Sequence, residues 1–515
     1  MKQRESWSSK LGIILAVAGS AIGLGNFLRF PVQAAQNGGG AFMIPYFISL
    51  LLLGIPLMWI EWTLGRFGGG FEHGTAPGIF HTMWKKNRFI KYFGVIGIFG
   101  PIVIFIFYTY VESWILGYTV FSVTGKLAQA ASQEELKSFL SGYQGLAQNN
   151  YFWSLKWAYL FFIITFILNI YIIYRGLKGG IEVFCKWALG ALFIMGIILV
   201  VRIATLGTAT PGQTFLKGLE YLWTPDFSVL TQPKVWLAAA GQIFFTLSVG
   251  IGVILTYASY LKKNNDVVLS GLTAVSANEF AEVIIGGSLV IPAAYMFFGP
   301  AQITEIANSG SFNLGFITMP MIFQQIPYGM FYAFLWFGLL FLAGITSSIS
   351  LALPAIVFIE DEFDIPRTKS VWIFGIITFI LCQPVIFFLA NGIMDELNFW
   401  GGTFALVVFG TIEVILFSWV FGIDKAWDEA HSGSDINIPK IYKFIMKYIT
   451  PLFLICILVS WFFTEWIPVI LMKSVPPENK IFVLSTRIGL ALLIFALGLL
   501  VNISWKRRGR KKSAQ

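Results

Sequence analysis

Residues 19–31 read GSAIGLGNFLRFP inside the first long apolar run of the chain. A helix that only crosses lipid has no use for Gly19, Gly23 and Gly25 in close succession, nor for the amide of Asn26 and the guanidinium of Arg29. Glycine permits unwinding, and irregular backbone at membrane depth survives only where it is buried in protein or lines a cavity. A second stretch, residues 241–260, reads GQIFFTLSVGIGVILTYASY and places Thr246, Ser248, Gly250 and Gly252 in mid-run. Glycines alone would suit close helix packing. A packing seam, however, needs neither Asn26 nor Arg29. Counting apolar runs, the two interrupted stretches are the first and sixth, each opening a set of five. Paired interruptions of this kind predict an inverted-repeat transporter whose site lies at the bilayer midplane.

Other residues able to do chemistry are few. Glu61, Glu112, Glu282 and Glu413 fall inside apolar runs, where a carboxylate is a functional suspect by default. The plainer reading makes Glu61, Glu112 and Glu413 buried, hydrogen-bonded structural acids. His73, His81 and His431 lie in or beside loops and match no nucleophile or metal pattern, so an enzyme is not expected. Cys185, Cys382 and Cys456 sit in different apolar runs without ligand spacing and read as small buried hydrophobes.

The elements that must position these residues are set by composition. Of 515 residues 57% are hydrophobic and 12% charged, against about 25% charged in soluble domains. Apolar runs of spanning length lie near 11–35, 41–66, 90–122, 157–174, 183–205, 236–261, 268–298, 330–359, 370–390, 399–422, 449–471 and 481–505. They predict one all-α polytopic domain over 1–515 with about twelve transmembrane helices: a first repeat over 10–205, a second over 236–422, and two additional helices over 440–506. The start is basic and then apolar like a signal peptide, but no cleavage site precedes a polar stretch and a second run arrives at Ala41. Arg4, Lys10, the run WKKNRFIK (84–91), Lys262, Lys263, Arg367, Lys369 and the tail WKRRGRKK (505–512) fall on one side of a twelve-span chain. Both termini are therefore expected in the cytoplasm, with the protein multi-pass in the inner (plasma) membrane. Basic residues that set topology account for the pI of about 9.2 without nucleic acid. Residues 124–151 form a polar loop with helical character, residues 300–325 are too polar to span, and 422–442 read as a solvated connector.

The motifs GSAIGLGNFLRFPVQAAQNGGGAFMIPY, IEWTLGR, YTYVESW, GQIFFTLSVGIG, SGLTAVSANEFAEV, SFNLGFIT, AGITSSIS and FGIDKAWDE closely resemble the neurotransmitter:sodium symporter family. The likeness is greatest to its bacterial amino-acid transporter branch, typified by LeuT, and covers essentially the whole chain. The broken-helix pattern was itself recognised in LeuT, so pattern and resemblance count once. The resemblance implies a LeuT-like 5+5 inverted repeat with unwound first and sixth helices, coupling two Na+ ions to a neutral amino acid.

Carried over by position, the first sodium site is expected from the Ala21 carbonyl, Asn26, Thr246 and Asn278, completed by the substrate carboxylate. The second is expected from carbonyls of Gly19, Ile22 and Ala343 with the hydroxyls of Thr346 and Ser347. A hard cation wants oxygens, which unwound helices offer. The resemblance places the substrate carboxylate on the amides of Leu24 and Gly25 and the Tyr108 hydroxyl, where helix N-terminal donors attract anions. Carbonyls of Ala21, Phe245 and Thr246 and the Ser248 hydroxyl face the ammonium. Monoamine-transporting relatives carry an aspartate where Gly23 stands, so its absence favours an amino acid.

The side-chain wall is expected from Ile104, Tyr108, Phe245, Ile251, Ser347 and Leu351. LeuT has valine at the position of Ile104 and phenylalanine at that of Ile251, so one change adds volume and the other removes it. A leucine-like aliphatic substrate is the first expectation, with methionine or an aromatic amino acid open. An uncharged wall rejects acidic and basic side chains. Arg29, with Asp395 and Asn398, corresponds to the outer gate. The family carries an acid at the position of Asn398, so a neutral partner predicts a looser gate in which Asp395 or water contributes more. Arg4, Trp7, Ser259, Tyr260 and Asp361 match the inner gate, with an Arg4–Asp361 ion pair. Glu282 stands where chloride-dependent relatives have serine; a resident charge there makes chloride dispensable. Expected partners are an amino acid, sodium and the bilayer, with monomer and homodimer both open. A channel would show repeated pore-lining residues instead of half-helix termini. A sensor of the same fold would bind without flux.

Overall fold

The computed structural model describes residues 5–207 and 211–513. Arg4 lies outside the described residues. Among the described residues ten helices are long and apolar enough to cross a membrane as single elements, and the first, Lys10–Ala21 with Gly25–Gln36 bent by 46°, makes an eleventh. The sixth expected span is two shorter helices, Pro233–Thr246 and Val253–Ala258, parted by residues 247–252. Neither half is long enough to cross alone, so the two together make one span. The chain thus has the twelve segments expected.

Each break has a local cause. Ile22, after the last helical residue of Lys10–Ala21, is extended at φ −73°, ψ 92°. The Gly23 amide, which has lost its helical acceptor, donates to Asn26 Oδ1 at 2.8 Å. In the sixth helix Ser248, Gly250 and Gly252 all have positive φ. At Gly250 a Cβ would stand 2.5 Å from the Leu406 carbonyl, and at Gly252 2.5 Å from that of Gly97, so both the conformation and the space demand glycine.

The breaks sit inside a shell of long helices. Gly329–Phe363 is 94% buried over its most apolar window and Ile90–Val123 is 78% buried. Ile441–Ile470 and Pro477–Arg507 are 17% and 22% buried, so they form the lipid-facing periphery. Cys185 and Cys382 are buried as expected, but Cys456 is exposed, because it lies on that periphery where an apolar run faces lipid. The polar stretch after the third helix contains the helix Gln133–Tyr143, started by a capping box of Ser132 and Glu135. Residues 311–324 form short helices that do not span. The twelfth helix ends where the second ends: Trp505 stacks on His73 at 5.7 Å and meets His81 edge-on at 5.2 Å.

Candidate functional site

A chamber lies where the two breaks face each other. Its wall includes Ala21, Leu24, Gly25, Ile104, Tyr108, Phe245, Thr246, Ser248, Ile251, Ser347 and Leu351, every residue expected around a substrate. It also includes Ser20, Gly23, Phe107, Ser350, Gly402 and Leu406, which the sequence reading missed. Ser350 lies one helical turn beyond Ser347 and Ser20 directly before Ala21, so helical spacing could have found both. The Leu24 amide donates to the Tyr108 hydroxyl at 3.3 Å, marking the positive end of the outer half-helix. A Cβ at Gly23 would lie 2.9 Å from Ser347 Oγ and 3.3 Å from Tyr108 Oη, so a larger residue there would occupy the chamber.

Beside the chamber is a buried polar cluster. Asn26 Nδ2 donates to Thr246 Oγ1 at 3.0 Å, Asn278 Oδ1 at 2.9 Å and Glu282 Oε2 at 3.0 Å. Gln242 donates to Glu282 at 2.8 Å, and the Thr246 hydroxyl donates to the same carboxylate. Glu282 is completely buried. Neighbouring Glu279 accepts from the Tyr46 hydroxyl at 2.8 Å. Ligands about 2.4 Å from a hard cation lie about 3.4 Å from one another in an octahedron. The oxygens of Thr246 and Asn278, 3.4 Å apart, meet that spacing.

On the other side of the chamber, Thr346 Oγ1 donates to the carbonyls of Leu342 and Ala343 at 2.9 and 3.1 Å. Ser347 Oγ reaches the carbonyls of Ala343 at 3.1 Å, Ser20 at 3.2 Å and Gly19 at 3.5 Å. A Cβ on Gly19 would meet Thr346 at 3.2 Å. Gly19, Ala343, Thr346 and Ser347 are therefore together, with Ile22 at the end of the same half-helix. Behind them Ser348 donates to Asn169 at 2.6 Å, and Asn169 to both oxygens of Glu112 at 3.3 and 3.2 Å.

One mouth of the chamber is open. Leu24, Gly25, Tyr108 and Phe245 are shared with a wider vestibule also lined by Arg29, Asp395, Asn398 and Trp461. The vestibule holds about 330 Å³ and the chamber about 60 Å³, so selection by fit belongs to the chamber. The three residues expected at an outer gate share this space, but Arg29 bonds to neither helix-ten side chain. Its guanidinium rests over the Phe245 ring at 4.6 Å and donates to the Gly241 carbonyl at 3.3 Å. The outer end of the tenth helix is instead tied to the twelfth: Glu396 accepts from Arg487 Nε at 2.8 Å and Nη2 at 2.9 Å.

The opposite mouth is shut. Trp7 Nε1 donates to the Tyr257 carbonyl at 3.1 Å, and the two rings meet edge-on at 5.3 Å. Ser259 and Tyr260, just beyond Tyr257, are both buried, and Asp361 lies in the last turn of the eighth helix, Gly329–Phe363. Two unexpected carboxylates close this mouth. Glu182 accepts from the Ser8 amide at 2.9 Å, the Ser8 hydroxyl, Ser9 Oγ at 3.1 Å and Lys186 Nζ at 2.8 Å. Glu5 accepts from the Leu177 amide at 3.0 Å. Glu5 thus meets the first residue of the segment Leu177–Glu182, and Glu182 meets Ser8 and the N-cap Ser9 just ahead of Lys10–Ala21.

The remaining buried acids differ. Glu61 accepts from the Gly250 amide within the sixth-helix break. Glu413, expected to be hydrogen-bonded, has no partner on either oxygen among the described residues. It lies near Glu61 in an apolar surround.

The family model of the sodium:neurotransmitter symporter family matches residues 4–141 and 144–503. An uncharacterised sodium-dependent transporter of Methanocaldococcus jannaschii is 31% identical over 458 residues, 88% of this chain and 89% of that protein. YhdH of Bacillus subtilis, also an uncharacterised sodium-dependent transporter, is 31% identical over 412 residues, covering 80% and 84%. The crystal structure of MhsT in complex with L-phenylalanine superposes with a TM-score of 0.75 at 29% identity, covering 89% of this chain and all of that one. With its two broken helices and twelve segments, this chain is a multi-pass membrane protein that belongs to the sodium:neurotransmitter symporter family.

Proposed function

We propose that the protein imports a neutral, leucine-like amino acid together with two sodium ions by alternating access. The observation that carries the reading is the convergence of all eleven expected substrate residues on one chamber between the two helix breaks. The vestibule face is then the outside, the Trp7 face the cytoplasm, and the closed Trp7–Tyr257 contact makes this the outward-facing state. The two repeats would occupy 10–205 and 236–422, with both termini cytoplasmic in the plasma membrane.

In this reading the substrate carboxylate meets the Leu24 and Gly25 amides and the Tyr108 hydroxyl. The ammonium meets the Ala21, Phe245 and Thr246 carbonyls and the Ser248 oxygen. One sodium ion sits with Asn26, Thr246, Asn278, the Ala21 carbonyl and the substrate. The other sits with Thr346, Ser347 and the carbonyls of Gly19, Ile22 and Ala343. Opposite charges 4 Å apart are worth about 4 kcal/mol at an effective dielectric of 20, roughly a thousandfold in mutual affinity. Each ligand therefore strengthens the other. Two charges moving inward gain about 4.6 kcal/mol per 100 mV. Glu282, hydrogen-bonded to Asn26 and Thr246, supplies the negative charge that dispenses with chloride. MhsT binding L-phenylalanine supports an amino acid as the substrate class.

The test is uptake of radiolabelled leucine into proteoliposomes with an inward sodium gradient, then with potassium in its place. Sodium-driven uptake lost in Asn26→Ala and Thr346→Ala is the expected result. Sodium-dependent binding without flux would indicate a sensor. No response to sodium would refute the proposal.

A further inference from the structure

The floor of the chamber, at the end farthest from the vestibule, is polar. Ser20 and Ser350, 3% and 0% exposed, line it with their hydroxyl oxygens 2.8 Å apart. Apolar Ile104, Ile251 and Leu351 line the same chamber. The proton directions follow from the neighbouring bonds. Ser350 donates to the Ser347 carbonyl at 2.6 Å, so its single proton is committed and it must accept from Ser20. The Ser20 hydroxyl has thereby spent its own proton. Its two lone pairs remain, and among the described residues no donor is directed at them. Nearby hydroxyls cannot fill the role, since Ser248 and Ser347 both donate to the Ser20 carbonyl, at 2.8 and 3.2 Å. The serine pair therefore offers an acceptor, at Ser20, while both of its protons are committed.

We propose that Ser20 and Ser350 form a specificity subsite that accepts a hydrogen bond from the side chain of the substrate. The class favoured is neutral amino acids whose side chain carries a hydroxyl. This rests on the amino-acid reading above, which puts the α-carboxylate at Leu24, Gly25 and Tyr108 and so sends the side chain toward the floor. Both serines are already bonded to each other, so an apolar side chain strands no polar group and leucine is still admitted. A hydroxylated side chain gains a bond in addition. Because both serine protons are committed, a side chain offering only an acceptor gains nothing from the pair, and a charged one would be buried without a partner.

The experiment is competition of unlabelled amino acids against radiolabelled leucine on the purified full-length protein in sodium buffer. Two matched pairs, valine with threonine and phenylalanine with tyrosine, differ by the hydroxyl. In Ser20→Ala and in Ser350→Ala the affinity ratio of one pair or both shifts roughly three- to tenfold against the hydroxylated member. The ratio is read within each preparation, so a general loss of binding cancels. A second measurement uses wild type only: O-methylthreonine and O-methyltyrosine keep the oxygen but lose the proton. Expected is weaker competition by the methyl ether than by the parent in the pair that responds. Ratios that stay the same in both variants, or methyl ethers that match their parents, would overturn the subsite. Absence of sodium-dependent binding of every amino acid would instead refute the underlying reading.

Discussion

Glu182→Gln tests how the inner mouth is held shut. Three donors of residues 8 and 9 converge on this carboxylate, whose side chain is 1% exposed. Lys186 also pairs with it, but from the same helix, so that bond survives any parting of the first and fifth helices. A hydrogen bond to a charged acceptor is stronger than one to a neutral acceptor by about 1 kcal/mol. Three such donors, one of them a poorer fit for an amide, put the loss near 2 kcal/mol, about a thirtyfold shift toward the open inner mouth. Cys185 is a native reporter: it is fully buried, and its sulfur would lie 3.4 Å from a Cβ at Gly19 of the inner half-helix. In a Cys382→Ser, Cys456→Ser background it is the sole thiol. A membrane-impermeant thiol reagent applied from the Trp7 face should label it about thirty times faster in Glu182→Gln, with sodium restoring protection. Glu5→Gln, which weakens a single bond to Leu177, should give about fivefold. Labelling of Glu182→Gln within threefold of wild type would show that the clamp does not hold the closed state.

Asn398→Asp adds a carboxylate across the vestibule from Arg29, and an exposed or water-bridged pair is worth up to about 1 kcal/mol. Substrate release should slow several-fold, read as leucine dissociation in sodium; unchanged affinity and dissociation would mean that the tenth helix does not gate through this position. Replacing chloride by gluconate should leave sodium-driven uptake intact, and collapse of uptake would remove Glu282 from its assigned part. Asp266 caps the seventh helix, accepting from the amides of Val268, Leu269 and Ser270 at 3.1, 3.2 and 3.0 Å, and pairs with Lys10 at 3.0 Å. Burial opposes its ionisation, but Lys10 and the amides of Leu269 and Asp435 outweigh burial and hold the carboxyl below its ordinary value. A depressed folded value contributes stability above about pH 4 that disappears as the pH falls through it. Asp266→Asn should therefore lower the melting temperature in detergent at pH 7 by an amount equivalent to about 1 kcal/mol, and the gap to wild type should narrow below pH 4.

What was legible in the sequence was local. GSAIGLGN and TLSVGIG announce their breaks because glycine and small polar residues in an apolar run have no other use there, and the family motif then fixes neighbours by position. Ser20 and Ser350 escaped because serine in a membrane helix usually bonds its own backbone; only their mutual distance shows a shared floor. The Glu182 contact joins residues 174 apart, and nothing in the spacing of either segment marks its partner. The resemblance placed Arg29 opposite the tenth helix, with a loosened gate expected because Asn398 is neutral, and it gave no sign of where the guanidinium would rest instead. It rests on the Phe245 ring, where a planar guanidinium gains a cation–π contact.

The inner half of the first helix is where these devices meet. Lys10–Ala21 carries the Glu182 contacts at its start, Gly19 beside the Thr346 and Ser347 hydroxyls in its last turn, and the Ser20 floor next to that. The Tyr257 ring that receives Trp7 lies beside Ser350, so the floor of the chamber is also the roof of the inner gate. In the proposed reading a sodium ion shared by Gly19, Thr346 and Ser347 would hold this half-helix against the eighth helix and so favour the closed mouth. A substrate bonded to Ser20 loads the same joint. On that reading, parting the half-helix would break the proposed cation site, the floor and the Glu182 contacts together, and sodium and substrate would leave in one event rather than two.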